Sequence, residues 1–224
     1  MIPWERLDAV KLEDGIELKL MRRGDEFSIM LGSNELMNSR LSGSEEALAE
    51  LASARLEGRV GARILIGGLG MGFTLRAALK TLGQDAGITV AELVPQVISW
   101  AHGPMAPVFD GCLEDRRVSL FEGDVGELIR GSDGAWDAIL LDVDNGPDGL
   151  TRQGNDALYS AAGLTSALRA LAPGGIFSVW SSAADAAFTR RLKQAGFAVT
   201  EVPTRASTKK RGARHMIWVA TKAG

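Results

Sequence analysis

The residues best suited to chemistry in this chain are acids set behind apolar runs, together with one glycine-rich turn. Ile64-Leu65-Ile66 leads into Gly67-Gly68-Leu69-Gly70-Met71-Gly72, and Thr74 to Leu82 then carries a helical pattern. Gly68, Gly70 and Gly72 let the backbone turn tightly and approach a ligand where any side chain would collide. The next apolar run ends in Glu92, about 20 residues on, where a Rossmann-like unit sets its acceptor for ribose hydroxyls. A third run is followed by Glu122-Gly123-Asp124, and a fourth closes on Asp142. At these places Glu92 would bind ribose hydroxyls, and Asp124 would accept from the exocyclic amine of adenine. Gly67, Gly68, Gly70, Gly72, Glu92, Leu93, Asp124 and Val125 thus form a candidate pocket for a nucleoside-containing cofactor. A rival explanation needs no ligand: the glycines serve helix–strand packing, and Glu92 and Asp124 are acids at helix starts, where the dipole favours them.

The elements that must position these residues alternate from Arg63 onward. Ile64–Ile66, Ile88–Ala91, Val118–Phe121, Ala138–Leu141 and Ile176–Trp180 read as strands. Helical patterns fall at Thr74–Leu82, Pro95–Ala101, Val125–Ile129, Asp156–Leu171 and Ala184–Gln194. Unbroken apolar runs such as Ala138-Ile139-Leu140-Leu141 are what strands buried on both faces look like. The order predicts a doubly wound, mostly parallel sheet, which binds ligands at its carboxyl edge. Phe197–Val202 and Met216–Ala220 follow, joined by a connection too short for a crossover helix. They predict an antiparallel final hairpin, and a seven-stranded methyltransferase-like sheet rather than a dinucleotide dehydrogenase.

Before residue 60 the pattern is different. Ile16–Met21 and Phe27–Leu31 flank Arg23-Gly24-Asp25 and predict a hairpin, with a third short strand at Glu35–Met37. Ser42 with Glu45 three residues on predicts a capping box opening a helix to about Leu56. The expected division is an N-terminal β-appendage with a linking helix, 1–58, and a Rossmann-like domain, 59–224.

A hydrophobic share of 46 % and a charged share of 24 % are those of an ordinary soluble globular protein. A net charge of −3 gives no overall pull toward nucleic acid. One cysteine, Cys112, forms no internal disulfide and suits a reducing compartment. No apolar stretch is long enough to span a bilayer, and Met1 to Arg6 do not read as a signal peptide, so the expected location is the cytoplasm. Arg205 to Arg214 form a basic loop without interleaved aromatics, read as a solvated hairpin connection rather than a nucleic-acid surface.

These motifs resemble the spermidine synthase family. Arg63 to Gly68 followed by Thr74-Leu75-Arg76 is similar to its signature strand, loop and helix. Asp115-Arg116-Arg117-Val118 through Gly123-Asp124 is similar to its third strand, and Trp136 to Asp142 to its fourth. The resemblance implies transfer of an aminopropyl group from decarboxylated S-adenosylmethionine to a small amine acceptor, within polyamine biosynthesis. An amine of pKa about 10 must lose a proton before attacking, and a carboxylate near it can take that proton. By its place after the fourth strand, Asp142 matches the family's catalytic aspartate, with Asp144 and Asn145 as substrate contacts. The resemblance also allows the appendage a role in homodimer formation.

The chain departs from the family at several positions. Gly70 stands where the family carries the aspartate that holds the cofactor's propylamine. Val143-Asp144-Asn145-Gly146-Pro147 replaces Ser-Ser-Asp-Pro, and Ser44-Glu45-Glu46 replaces Tyr-Gln-Glu. These changes keep two alternatives open: a methyltransferase using S-adenosylmethionine itself, and a catalytically silent binding relative. A metal-dependent methyltransferase would need an Asp-Asn pair after the fifth strand. Ser181-Ser182-Ala183-Ala184-Asp185 stands there instead, so no metal is expected.

Overall fold

The computed structural model describes residues 2–12, 15–143, 157–207 and 212–224. A four-stranded antiparallel sheet comes first, with β1 (Glu5–Lys11), β2 (Glu17–Arg23), β3 (Glu26–Leu31) and β4 (Asn34–Asn38) in that order. β1 was not expected from the sequence. Its charged residues spoil the apolar alternation, and an edge strand with a half-exposed face needs little of it. Asp8 on this strand accepts hydrogen bonds from Trp100 Nε1, at 2.8 Å, and from Gln96, which pins the sheet to the helix beyond.

The linking helix α1 (Gly43–Ser53) starts one residue after Ser42, which makes no side-chain capping bond. The expected capping box is therefore not formed. Glu45 instead accepts from Ser44 Oγ at 2.6 Å.

The large sheet consists of β5 (Arg63–Gly67), β6 (Gly87–Glu92), β7 (Val118–Glu122), β8 (Trp136–Leu141), β9 (Leu171–Ser181), β10 (Ala198–Arg205) and β11 (Arg214–Thr221). Its order is β10-β11-β9-β8-β5-β6-β7. β5 to β9 pair in parallel, while β11 is antiparallel to both β9 and β10. This is the doubly wound seven-stranded sheet the alternation predicts. Its helices are α2 (Phe73–Thr81), α3 (Pro95–His102), α4 (Ala106–Phe109), α5 (Val125–Arg130), α6 (Ala161–Ala170) and α7 (Ala186–Gln194). The expected Asp156–Leu171 helix is interrupted: residues 157–159 are helical, Ser160 is not, and after it comes α6. Ser160 caps it, accepting from Gly163 N at 3.1 Å, and Leu171 already belongs to β9.

Strand alternation explains why the central runs are apolar without interruption. Ile64 and Ile66 face the core beneath α1 and α2, while Leu65 faces the core beneath α5 and α6. β8 repeats this, with Ala138 and Leu140 on the first face and Ile139 and Leu141 on the second. Among the described residues, no helix is long and apolar enough to cross a membrane.

Candidate active site

The carboxyl ends of the central strands are joined by backbone hydrogen bonds. Gly68 N donates to Ala91 O at 2.8 Å, Gly123 N to Glu92 O at 2.9 Å, and Asp142 N to Gly67 O at 2.9 Å. This seam holds the floor of a cavity of about 440 Å3, within the size range of small-molecule sites. Leu18, Ile29, Leu31 and Met37 of the small sheet wall it on one side, and Trp180, Ala206, Ala213 and His215 close another.

Gly68, Gly70, Glu92, Leu93, Asp124, Val125 and Asp142 all line this cavity. Gly67 and Gly72 are not part of the lining. A Cβ at Gly67 would lie 3.0 Å from the Val125 side chain, and one at Gly72 would lie 2.6 Å from the Phe109 ring. Packing requires glycine at 67, and both packing and a φ of +75° require it at 72. Gly68 combines both demands, since a Cβ there would sit 2.4 Å from the Asp142 carbonyl oxygen and its φ is +92°. Asp144 and Asn145 lie outside the described residues, as do residues 208–211 of the basic loop. The described flanks of that loop border the cavity through Ala206 and Ala213.

Glu92 is buried, and each of its oxygens accepts a backbone N–H: Oε2 from Leu69 at 3.0 Å and Oε1 from Val94 at 2.8 Å. It thus shapes the glycine turn as well as facing the cavity. Asp124 caps α5, with Oδ1 accepting from Gly126 N at 2.8 Å and Oδ2 meeting Arg130 at 3.1 Å. Leu93 is 48 % exposed at the cavity mouth, an apolar surface of the kind on which a base can lie.

The other half of the cavity differs. Asp142 follows β8 directly, and its Oδ2 lies 2.6 Å from Thr74 Oγ1, the second residue of α2. Thr74 Oγ1 is also 3.2 Å from the backbone oxygen of Glu45. Burial, and then the charge of Glu45, push the Asp142 carboxyl up to about 7, against the smaller opposing effect of Thr74. Burial also raises Glu45, with Glu46 adding to the shift. Two interacting acids of this kind titrate as a pair. Once Asp142 is protonated it can donate to Thr74, whose own hydrogen is then free for the Glu45 carbonyl.

Thr74, Glu45, Ser44 and His215 were not read from the sequence as site residues. Thr74 was visible as part of a motif, and Glu45 as a helix-start acid. His215 had no partner nearby in sequence. In the structure it lies 2.8 Å from Ser44 and edge-on to Trp180, with 4.8 Å between ring centroids. Five carboxylates line the cavity (Glu35, Glu45, Glu92, Asp124 and Asp142), and no lysine or arginine does among the described residues. Among the described residues, no group of three or more His, Cys, Asp and Glu could hold a metal ion. Cys112 is buried against the core, which pushes its thiol up to about 11, as expected of a packing residue.

The polyamine aminopropyltransferase of Mycobacterium tuberculosis (strain H37Rv) is 31 % identical over 203 residues, covering 84 % of this chain. That of Corynebacterium efficiens is 37 % identical over 125 residues, covering 54 % of this chain. The spermidine synthase of Thermotoga maritima superposes over 97 % of this chain and 73 % of its own, with a TM-score of 0.77 at 17 % identity. A spermidine synthase bound to the transition-state analogue AdoDATO gives a TM-score of 0.76 over 97 % of this chain and 72 % of its own, again at 17 % identity. The fold is that of these spermidine synthases. No protein-family model matches it. It spans 37 % of the length of the mycobacterial relative and 22 % of the corynebacterial one.

Proposed function

We propose that this protein transfers an aminopropyl group from decarboxylated S-adenosylmethionine to a small amine. The observation that carries this reading is the cavity's charge: five carboxylates and, among its described lining residues, no basic side chain except the histidine. Such a site favours a sulfonium, an ammonium, or both, and disfavours a donor that keeps its methionine carboxylate. The relatives named for this reaction support the same choice.

The residues divide the work. Leu93 and Val125 would flank the adenine, Asp124 would accept from its amine, and Glu92 would take the ribose hydroxyls while holding the turn in shape. Gly68 and Gly70 leave the backbone open beneath the donor. The donor supplies a carbon activated by its bond to a positively charged sulfur. Asp142 holds the acceptor amine and takes its proton as nitrogen bonds to that carbon and the carbon–sulfur bond breaks. The leaving group is neutral 5′-methylthioadenosine. A carboxyl raised to about 7 is a stronger base than an ordinary aspartate and is ionised above neutral pH.

Gly70 favours a second reading, methyl transfer, because the anchor the family provides for the propylamine is missing. A side chain at 70 would also meet Met37, whose Cε lies 2.7 Å from the Cβ position. The assay that separates the two supplies each donor with a panel of amines and follows the thionucleoside released. Aminopropyl transfer yields 5′-methylthioadenosine from the decarboxylated donor. Release of S-adenosylhomocysteine from the carboxylated donor alone would overturn the proposal.

A further inference from the structure

The linking helix and the last strand place a hydrogen-bonded chain beside Asp142 that the proposed reaction has not used. His215 Nδ1 lies 2.8 Å from Ser44 Oγ, and Ser44 Oγ lies 2.6 Å from Glu45 Oε2. A serine hydroxyl has one hydrogen to give, and an ionised carboxylate can only accept. The consistent assignment is His215 Nδ1–H donating to Ser44, and Ser44 O–H donating to Glu45. Ser44 is fully buried, and the His215 ring is held edge-on against Trp180. Burial lowers the histidine, which favours the neutral ring with a single N–H. The other end of Glu45 is fixed through its backbone, whose carbonyl lies 3.2 Å from the Thr74 hydroxyl that also meets Asp142.

We propose that Glu45 is the second amine-holding carboxylate of this site, facing the acceptor together with Asp142, and that His215 is a positioning residue that aims Glu45 through Ser44. This rests on the reading that the acceptor is an amine, and it narrows the class. A primary ammonium has enough hydrogens to donate to both acids at once, and after giving one proton to Asp142 it still has one for Glu45. A tertiary amine does not. Among the described residues, the charged groups that act on Glu45 are Glu46 and Asp142, and the one that acts on Asp142 is Glu45. Removing the Glu45 charge therefore lowers the pH at which Asp142 ionises.

The test uses Glu45→Gln, His215→Phe and His215→Asn. Each is titrated calorimetrically with 1,4-diaminobutane and, separately, with uncharged 5′-methylthioadenosine. Glu45→Gln is expected to weaken the diamine about tenfold or more and to leave the nucleoside within about twofold. It also moves the acidic limb of the acceptor kcat/KM profile to lower pH. His215→Phe keeps the ring but loses the donor, so it weakens the diamine by a smaller factor. His215→Asn restores an N–H toward Ser44 and recovers affinity.

Unchanged diamine binding in Glu45→Gln, or equal loss of both ligands, overturns the role of Glu45. An asparagine variant as weak as the phenylalanine one overturns the positioning role of His215. Because binding is read without turnover, the two proposals fail separately. A protein that binds the diamine through Glu45 but releases no 5′-methylthioadenosine overturns aminopropyl transfer alone. Undiminished transfer in Glu45→Gln overturns the role of Glu45 alone.

Discussion

In the half of the cavity under β5, β6 and β7, the carboxylates are tied into the backbone. Glu92 takes two N–H groups and Asp124 caps a helix. In the half between α1, β8 and β11, Asp142 and Glu45 interact with no lysine or arginine among the described lining residues, and burial raises both. The first half is preorganised and stabilises the fold that carries it. The second holds charge at a cost in stability, the usual sign of a group kept for chemistry. On the proposed reading, a shape for the donor and a charge for the acceptor are built by separate means in one cavity.

The substitution that should break this contrast most sharply is Asp142→Asn. It removes the proton acceptor, so turnover should fall by about 10²–10⁴ while donor binding changes little. The same change should stabilise the protein. The folded carboxyl ionises near 7 rather than near 3.8, so its contribution to folding is full below pH about 4 and is lost as pH rises through about 7. The melting temperature of the variant should therefore exceed that of the wild type at pH 8 and approach it at pH 4. Differential scanning calorimetry at both values checks the sign. A wild type equally stable at both, relative to the variant, would place Asp142 among ordinary surface acids.

In the donor half the expected trade-off runs the other way. Glu92→Ala strands the Leu69 and Val94 N–H groups as well as removing a ligand contact, so it should cost about 1–3 kcal/mol of stability per unpaired group. Denaturant titration reads that loss directly. Glu92→Gln keeps one acceptor oxygen and should retain more of the fold while still weakening donor binding.

Gly70→Asp tests the border between the halves. Its φ of +50° and the contact with Met37 predict a loss of about 1–3 kcal/mol, part of which Met37→Ala should recover by clearing the space. In the double variant, the restored acid should sharpen preference for the decarboxylated donor. The smallest effect is expected from Asp124→Asn. An amide oxygen still caps α5, so stability should change by only about 0.5 kcal/mol or less. Donor affinity should drop modestly, as seen by calorimetry.

The two halves also differ in how readable they are from sequence, and for the same reason. Apolar runs buried on both faces, as in Ala138 to Leu141, announce parallel strands, and the acids ending them lie at fixed offsets from local turns. The acceptor half is assembled across the chain. Ser44 and His215 are 171 residues apart, and Thr74 and Asp142 are 68 apart, so no local pattern joins them. Glu45 was misassigned because a serine and a glutamate three apart obey the capping rule, while here tertiary contacts turn the glutamate into the cavity. Strand β1 was missed because its partner β2 and the Asp8 link to α3 hold it in place, rather than its own alternation.

The most direct test of the account is calorimetric titration of the protein with decarboxylated S-adenosylmethionine and S-adenosylmethionine side by side. A cavity lined by five carboxylates predicts tighter binding of the decarboxylated donor. Equal affinity, or a preference for the carboxylated form, would contradict aminopropyl transfer and the charge argument on which it stands.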